Sequence, residues 1–169
     1  MVSTPTPPTR PRNPAAHALH DGIRPDVLEA AAHEVGHGLC WNAGAFGIRH
    51  MSVRTGLFGG IDAYCRRRPL FLDEHNIDPY LIGLAGGAAG QIRHLTAHQP
   101  EVWGARGRAH ANASHDRAEF HRLGPAHGSA LSWSAAVAAA GRIIAARAAD
   151  HDRLTAALAR NGRLPGSAL

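Results

Sequence analysis

Residues 25–42 constrain the fold more than any other stretch. Pro25 suits the first turn of a helix, Asp26 and Glu29 complement its positive end, and Leu28, Ala32, Val35 and Leu39 recur at helical spacing. The pattern predicts one amphipathic helix with its apolar stripe on a core, closed by Asn42-Ala43-Gly44. Inside it stands His33-Glu34-Val35-Gly36-His37, an HExxH motif. On a helix the two histidines are about 40° apart, so both imidazoles reach one metal ion. Glu34 projects about 100° from His33, off the ligand line but close enough to act on a water.

Histidine is abundant here, at thirteen residues, so chance has to be weighed. The chain's own composition predicts about 0.03 occurrences of HExxH, which makes a metal site on this helix the strongest chemical signal. Paired imidazoles with an adjacent carboxylate that can move a proton are the parts of a zinc hydrolase. Such a site needs a third protein ligand, and spacing alone does not rank the downstream acids and histidines. Cys40, one turn beyond His37, lies too far along the axis and reads as a small buried thiol. His94 and His98 share i,i+4 spacing without the intervening glutamate, and the other histidines read mostly as surface residues.

Several function classes fall away. No apolar run approaches the ~20 residues that span a bilayer, and residues 1–14 contain five prolines and no hydrophobic secretory core. Two cysteines, Cys40 and Cys65, make neither a disulfide framework nor a CxxC knuckle, so the expected compartment is the cytoplasm. The net charge of +5 includes one basic run, Arg66-Arg67-Arg68, without interleaved aromatics. It reads as solvated surface, and nucleic acid is not an expected partner.

Along the chain, residues 1–24 are expected to form a proline-rich, disordered tail, and 25–169 a single domain. Residues 48–54 and 61–65 read as strands separated by Gly56 and Gly59-Gly60. A helix opened by Pro79 carries glycines at 83, 86, 87 and 90, which imply close packing against a neighbour. Residues 98–113 read as a polar loop. Ser114 is expected to cap a helix starting near His115 that Gly124-Pro125 ends. Helices at 129–148 and 150–159 complete a mainly α chain with a small β-sheet, an α+β fold.

These segments, taken together, are similar to the protease domain of FtsH-type ATP-dependent zinc metalloproteases. AAHEVGHGL resembles the family's HEAGHAL segment, and IRHMSVRTG with GGIDAY resembles its strand, Arg-Gly turn and second strand. GLAGGAAGQI resembles the glycine-rich GGRAAE helix, NASHDRAEFHRL the GASND segment, and AADHDRLTAALARNGRLPG the closing helix and turn. The match runs over about residues 26–166 in the family's order. It implies an HExxH zincin-like fold with Zn2+ held by His33, His37 and Asp116, and Glu34 as the catalytic base. Two positions depart from the family: Gln91 replaces its glutamate and Ala88 its arginine. Gln91 is a poor zinc ligand, which favours Asp116.

The resemblance therefore implies a zinc metalloendopeptidase acting on peptides or unfolded protein. The sequence holds no Walker A motif, so a separate ATPase or a homo-oligomer is an expected partner for folded substrates. A substrate strand is expected to add at the sheet edge near Gly60, Ile61 and Asp62. The alternatives are a regulatory metalloprotease with one dedicated protein substrate and a zinc-stabilised binding module without catalysis.

Overall fold

The protein is described here by a computed structural model covering residues 22–99 and 102–169. Residues 1–21 of the expected tail lie outside the described residues. Helix α1 (Pro25–Ala43) begins with its proline in the first turn and stops at Gly44, close to the sequence expectation. Strands β1 (Ile48–Thr55) and β2 (Ile61–Arg67) pair antiparallel, with Met51 opposite Cys65 and Val53 opposite Ala63. Helix α2 (Ile77–His98) follows, then α3 (Ala105–Asn112), α4 (Ser114–Ala126), α5 (Trp133–Ala146) and α6 (Ala148–Asn161). The chain finishes with β3 (Arg163–Pro165) and one 3-10 turn, Gly166–Ala168.

Four of these elements depart from the sequence expectation. Residues 105–112 are helical rather than loop. Alanine and arginine favour helix, but only Ala109 of this segment is buried, so no apolar stripe announces it. Ser114 is the first residue of α4 and makes no capping hydrogen bond. Helix α5 starts at Trp133, later than expected, because the cap is Ser132, whose hydroxyl accepts the Ala135 N–H. The terminal Arg-Leu-Pro forms a third strand against β1, giving the sheet order β2-β1-β3.

The tightest packing in the domain joins α1 to α2. A Cβ at Gly36 would overlap the Gly86 carbonyl, and one at Gly86 would stand 2.6 Å from the Gly36 carbonyl oxygen. The glycines of α2 thus let two backbones meet, as their density in the sequence implies. Helix α6 covers α1, and α5 covers α2. Leu39, Met51, Leu81, Ile144, Leu154 and Leu158 lie fully buried among these layers. The sheet lies against α1, with β2 at its edge. Among the described residues no helix is long and apolar enough to cross a membrane.

Candidate metal centre

One face of α1 carries His33 and His37 one turn apart, and the first turn of α4 brings Asp116 over them. His33 Nε2 lies 3.1 Å from His37 Nε2 and 3.1 Å from Asp116 Oδ2, and His37 Nε2 lies 3.4 Å from the same carboxylate oxygen. Tetrahedral zinc with bonds of 2.0–2.1 Å sets its donors about 3.3 Å apart. The triangle fits that ion, and its two imidazoles and one carboxylate form a donor set that zinc accepts. Gly87 of α2 forms the floor: a Cβ there would overlap His33 Nε2 and stand 2.5 Å from His37 Nε2.

The surroundings orient these donors. His37 Nδ1–H donates to the Gly83 carbonyl at 2.8 Å, which turns Nε2 towards the cleft. The His37 ring stacks on Trp41 with centroids 5.0 Å apart, and the indole N–H donates to the Tyr80 carbonyl. Burial favours neutral His37. Asp116 outweighs it through its charge and hydrogen bond and, with Glu34, raises the imidazole pKa to about 9. Burial likewise favours the protonated Asp116 carboxyl. The His37 charge and hydrogen bonds from both histidines override it and hold the group well below the ordinary carboxylate range.

Glu34 is buried and lines the same cleft. Burial pushes its carboxyl up, while the charges of His37 and His33 and the Cys65 main chain pull the other way. A carboxylate short of solvent is a stronger base than one in water. The cleft encloses about 580 Å³. Its wall along β2 is made by Ile61, Ala63, Tyr64 and Cys65. Of the three positions expected to meet substrate, Ile61 lines the cleft, whereas Gly60 and Asp62 do not. The edge of β2 away from β1 carries no partner strand among the described residues.

Sequence reasoning missed one end of this cleft. Glu29 is buried and accepts hydrogen bonds at the same oxygen from Gln91 Nε2 at 3.1 Å and Arg108 Nε at 2.8 Å. Gln91 is therefore engaged with a neighbouring carboxylate rather than with the histidines. The available signal was the i, i+4, i+8 series of Glu29, His33 and His37, which places all three on one stripe. His115, which precedes Asp116, also lines the cleft. Cys40 is buried and free, outside the cleft lining.

The expectation that the remaining histidines are mostly surface residues needs correction at two positions, because His94 and His151 are buried. His151 Nε2 reaches the Ala32 carbonyl at 3.2 Å, just before the HExxH motif. Arg93 fills the space between His151 and Asp152, hydrogen-bonding both. A guanidinium in that position makes the group an ion-pair network and not a second metal site. The chain matches no protein-family model and no curated protein.

Proposed function

We propose that the chain is a zinc-dependent endopeptidase with a zincin-like, FtsH-type site, hydrolysing peptide bonds in peptides or unfolded protein. The observation that carries this reading is the convergence of His33, His37 and Asp116 donor atoms beside buried Glu34, in one cleft along an unpaired strand edge. His33, His37 and Asp116 would hold the ion. When bound, zinc supplies Lewis acidity, polarising a peptide carbonyl and lowering the pKa of a water.

The remaining work belongs to the chain itself. Glu34 takes a proton from the attacking water and returns it to the departing amine, a task suited to a partly desolvated carboxylate. His37 is kept in the right tautomer by Gly83 and in the right plane by Trp41. The free edge of β2 offers main-chain hydrogen bonds to an extended peptide, which orders it across the site without reading its sequence. Two unpaired cysteines suit a reducing compartment such as the cytoplasm.

The test is Glu34→Gln, assayed for zinc content and for cleavage of unfolded casein. Zinc stoichiometry should stay at one per chain while cleavage falls by about 10²–10⁴-fold. Equal cleavage by wild type and variant would remove Glu34 from the chemistry. Zinc binding with no cleavage by either protein would favour a zinc-stabilised binding module.

A further inference from the structure

The Arg66-Arg67-Arg68 run, which reads as solvated surface in the sequence, borders the metal cleft. A second groove of about 470 Å³ shares Trp41, Cys65, His115 and Asp116 with that cleft and continues past them. Its added lining includes Arg49 of β1, Arg66 and Arg67 of β2, and Arg68 just beyond. The two grooves form one channel along β2, with the metal centre where they meet.

The charges of this arm are one-sided. Among the described residues none of the four guanidiniums has a carboxylate within ion-pairing distance. Glu119, which also lines the arm, is paired with Arg122 at 3.0 Å. The other end differs, since Glu29 there is matched by Arg108 and Asp26 by Arg24. Arg67 is held in place before any ligand arrives. Its guanidinium carbon sits 4.4 Å from the Tyr80 ring centroid and 5.7 Å from that of Trp41. One terminal N–H donates to the Tyr80 hydroxyl at 2.6 Å. Trp41 stacks on His37, so one aromatic series joins a metal ligand to this cation. The Arg68 main-chain N–H donates to the Gly47 carbonyl at 2.7 Å, which continues the strand edge.

An ordered guanidinium with unused donors, next to other unneutralised cations, suits a carboxylate better than any neutral group. We propose that this arm selects peptide substrates carrying an acidic side chain, bound by Arg67 with Arg66 and Arg68 flanking it. The inference rests on the peptidase reading and adds a specificity to it. Arg67 lies two residues past Cys65, which lines the cleft and whose main-chain N–H faces Glu34. Two strand residues span about 6.7 Å. A substrate paired antiparallel to β2 would therefore set its acidic residue about two positions N-terminal to the scissile bond.

The test uses the full zinc-loaded chain and a series of internally quenched peptides in which each position in turn is Glu, Gln or Lys. Glu two positions before the cleaved bond should raise kcat/KM about tenfold over Gln, an advantage that shrinks with added salt. Arg67→Gln and the double variant Arg66→Gln/Arg68→Gln should bring the Glu-to-Gln ratio towards one, and Arg67→Lys should restore part of it. Circular dichroism of each variant shows that it has folded. A parallel anisotropy titration of labelled Glu and Gln peptides with zinc-loaded Glu34→Gln measures selection without turnover. Equal binding of the two peptides, or an acid preference only on the C-terminal side, overturns the inference and leaves the peptidase reading standing. Acid-selective binding without cleavage by wild type sinks the peptidase reading while the cationic arm stands. A labelled single-stranded oligonucleotide that binds more tightly than the Glu peptide, and loses that binding in the same arginine variants, also overturns it.

Discussion

Replacing Gly87 with alanine separates the metal centre from the fold around it. A Cβ at this position would overlap His33 Nε2 and come within 2.5 Å of His37 Nε2. Both are outer ring atoms of side chains that can swing, so the backbone need not move. Swinging costs the His37 bond to Gly83 and the contacts of both imidazoles with Asp116, about 1 kcal/mol each. Alanine regains about 1 kcal/mol over glycine within a helix. A net loss of about 2 kcal/mol remains, and the metal-free melting temperature should fall by about 4–8 °C for a chain of this size. Zinc affinity should drop by at least 100-fold, about 2.7 kcal/mol, because both imidazoles leave the donor triangle. Competition with a chromophoric chelator measures the affinity, and calorimetric scans with and without zinc measure the linked stabilisation. Gly36→Ala is the contrast, since its Cβ meets the Gly86 backbone carbonyl, which cannot swing aside. That variant should lose about 2 kcal/mol or more of stability. A folded Gly87→Ala protein with wild-type zinc affinity would show that the donor triangle is not where zinc binds.

Other outcomes follow from the same geometry. Asp116→Ala removes one corner of the triangle and should weaken zinc binding by well over tenfold, and undiminished affinity in the same chelator competition would exclude Asp116 as a ligand. Asp152→Asn should cost about 3 kcal/mol at neutral pH, read by urea denaturation, because Arg93 is left partly buried without its carboxylate. Burial alone would raise the Asp152 carboxyl. Hydrogen bonds from His98 and Arg93, with the Arg93 charge, instead hold it far below the ordinary range. A depressed carboxylate stabilises the fold above its unfolded pKa of about 3.9 and loses that contribution as pH falls below it. The stability gap between wild type and Asp152→Asn should therefore narrow in acid, and a gap independent of pH would refute the pairing.

The HExxH helix was legible because its signals are local: a proline at the start, a repeating apolar stripe and a glycine at the end. The glycines of α2 were legible only in part. Their density told of a close neighbour, and Gly36 over Gly86 is that contact. That Gly87 faces two histidines depends on the rotation of α2 against α1, which no local pattern encodes. Helix α3 was hidden because it buries little, and β3 because three residues become a strand only through pairing with β1. Asp116 illustrates the same limit. Spacing left it one first-turn acid among several, the resemblance singled it out, and its approach to His33 reflects how α4 packs on α2. His151 was misread for a related reason, since its burial comes from α6 lying across α1 rather than from its own surroundings in sequence.

The small residues between α1 and α2 link these observations. Close backbone approach is usually a packing device, bought with the helix propensity that glycine lacks. Here it also brings the Gly83 carbonyl to His37 Nδ1 and leaves open the space that side chains at Gly87 would fill. A side chain at Gly83 would meet the Trp41 indole, and one at Gly87 the ring nitrogens of both histidines. The glycine content of α2 is thus set by the site as well as by the core. This predicts that the metal-directed consequence of substitution is confined to Gly83 and Gly87, the two glycines touching His37 or its stacking partner Trp41, and is absent at Gly90, which faces Ala32 and His151.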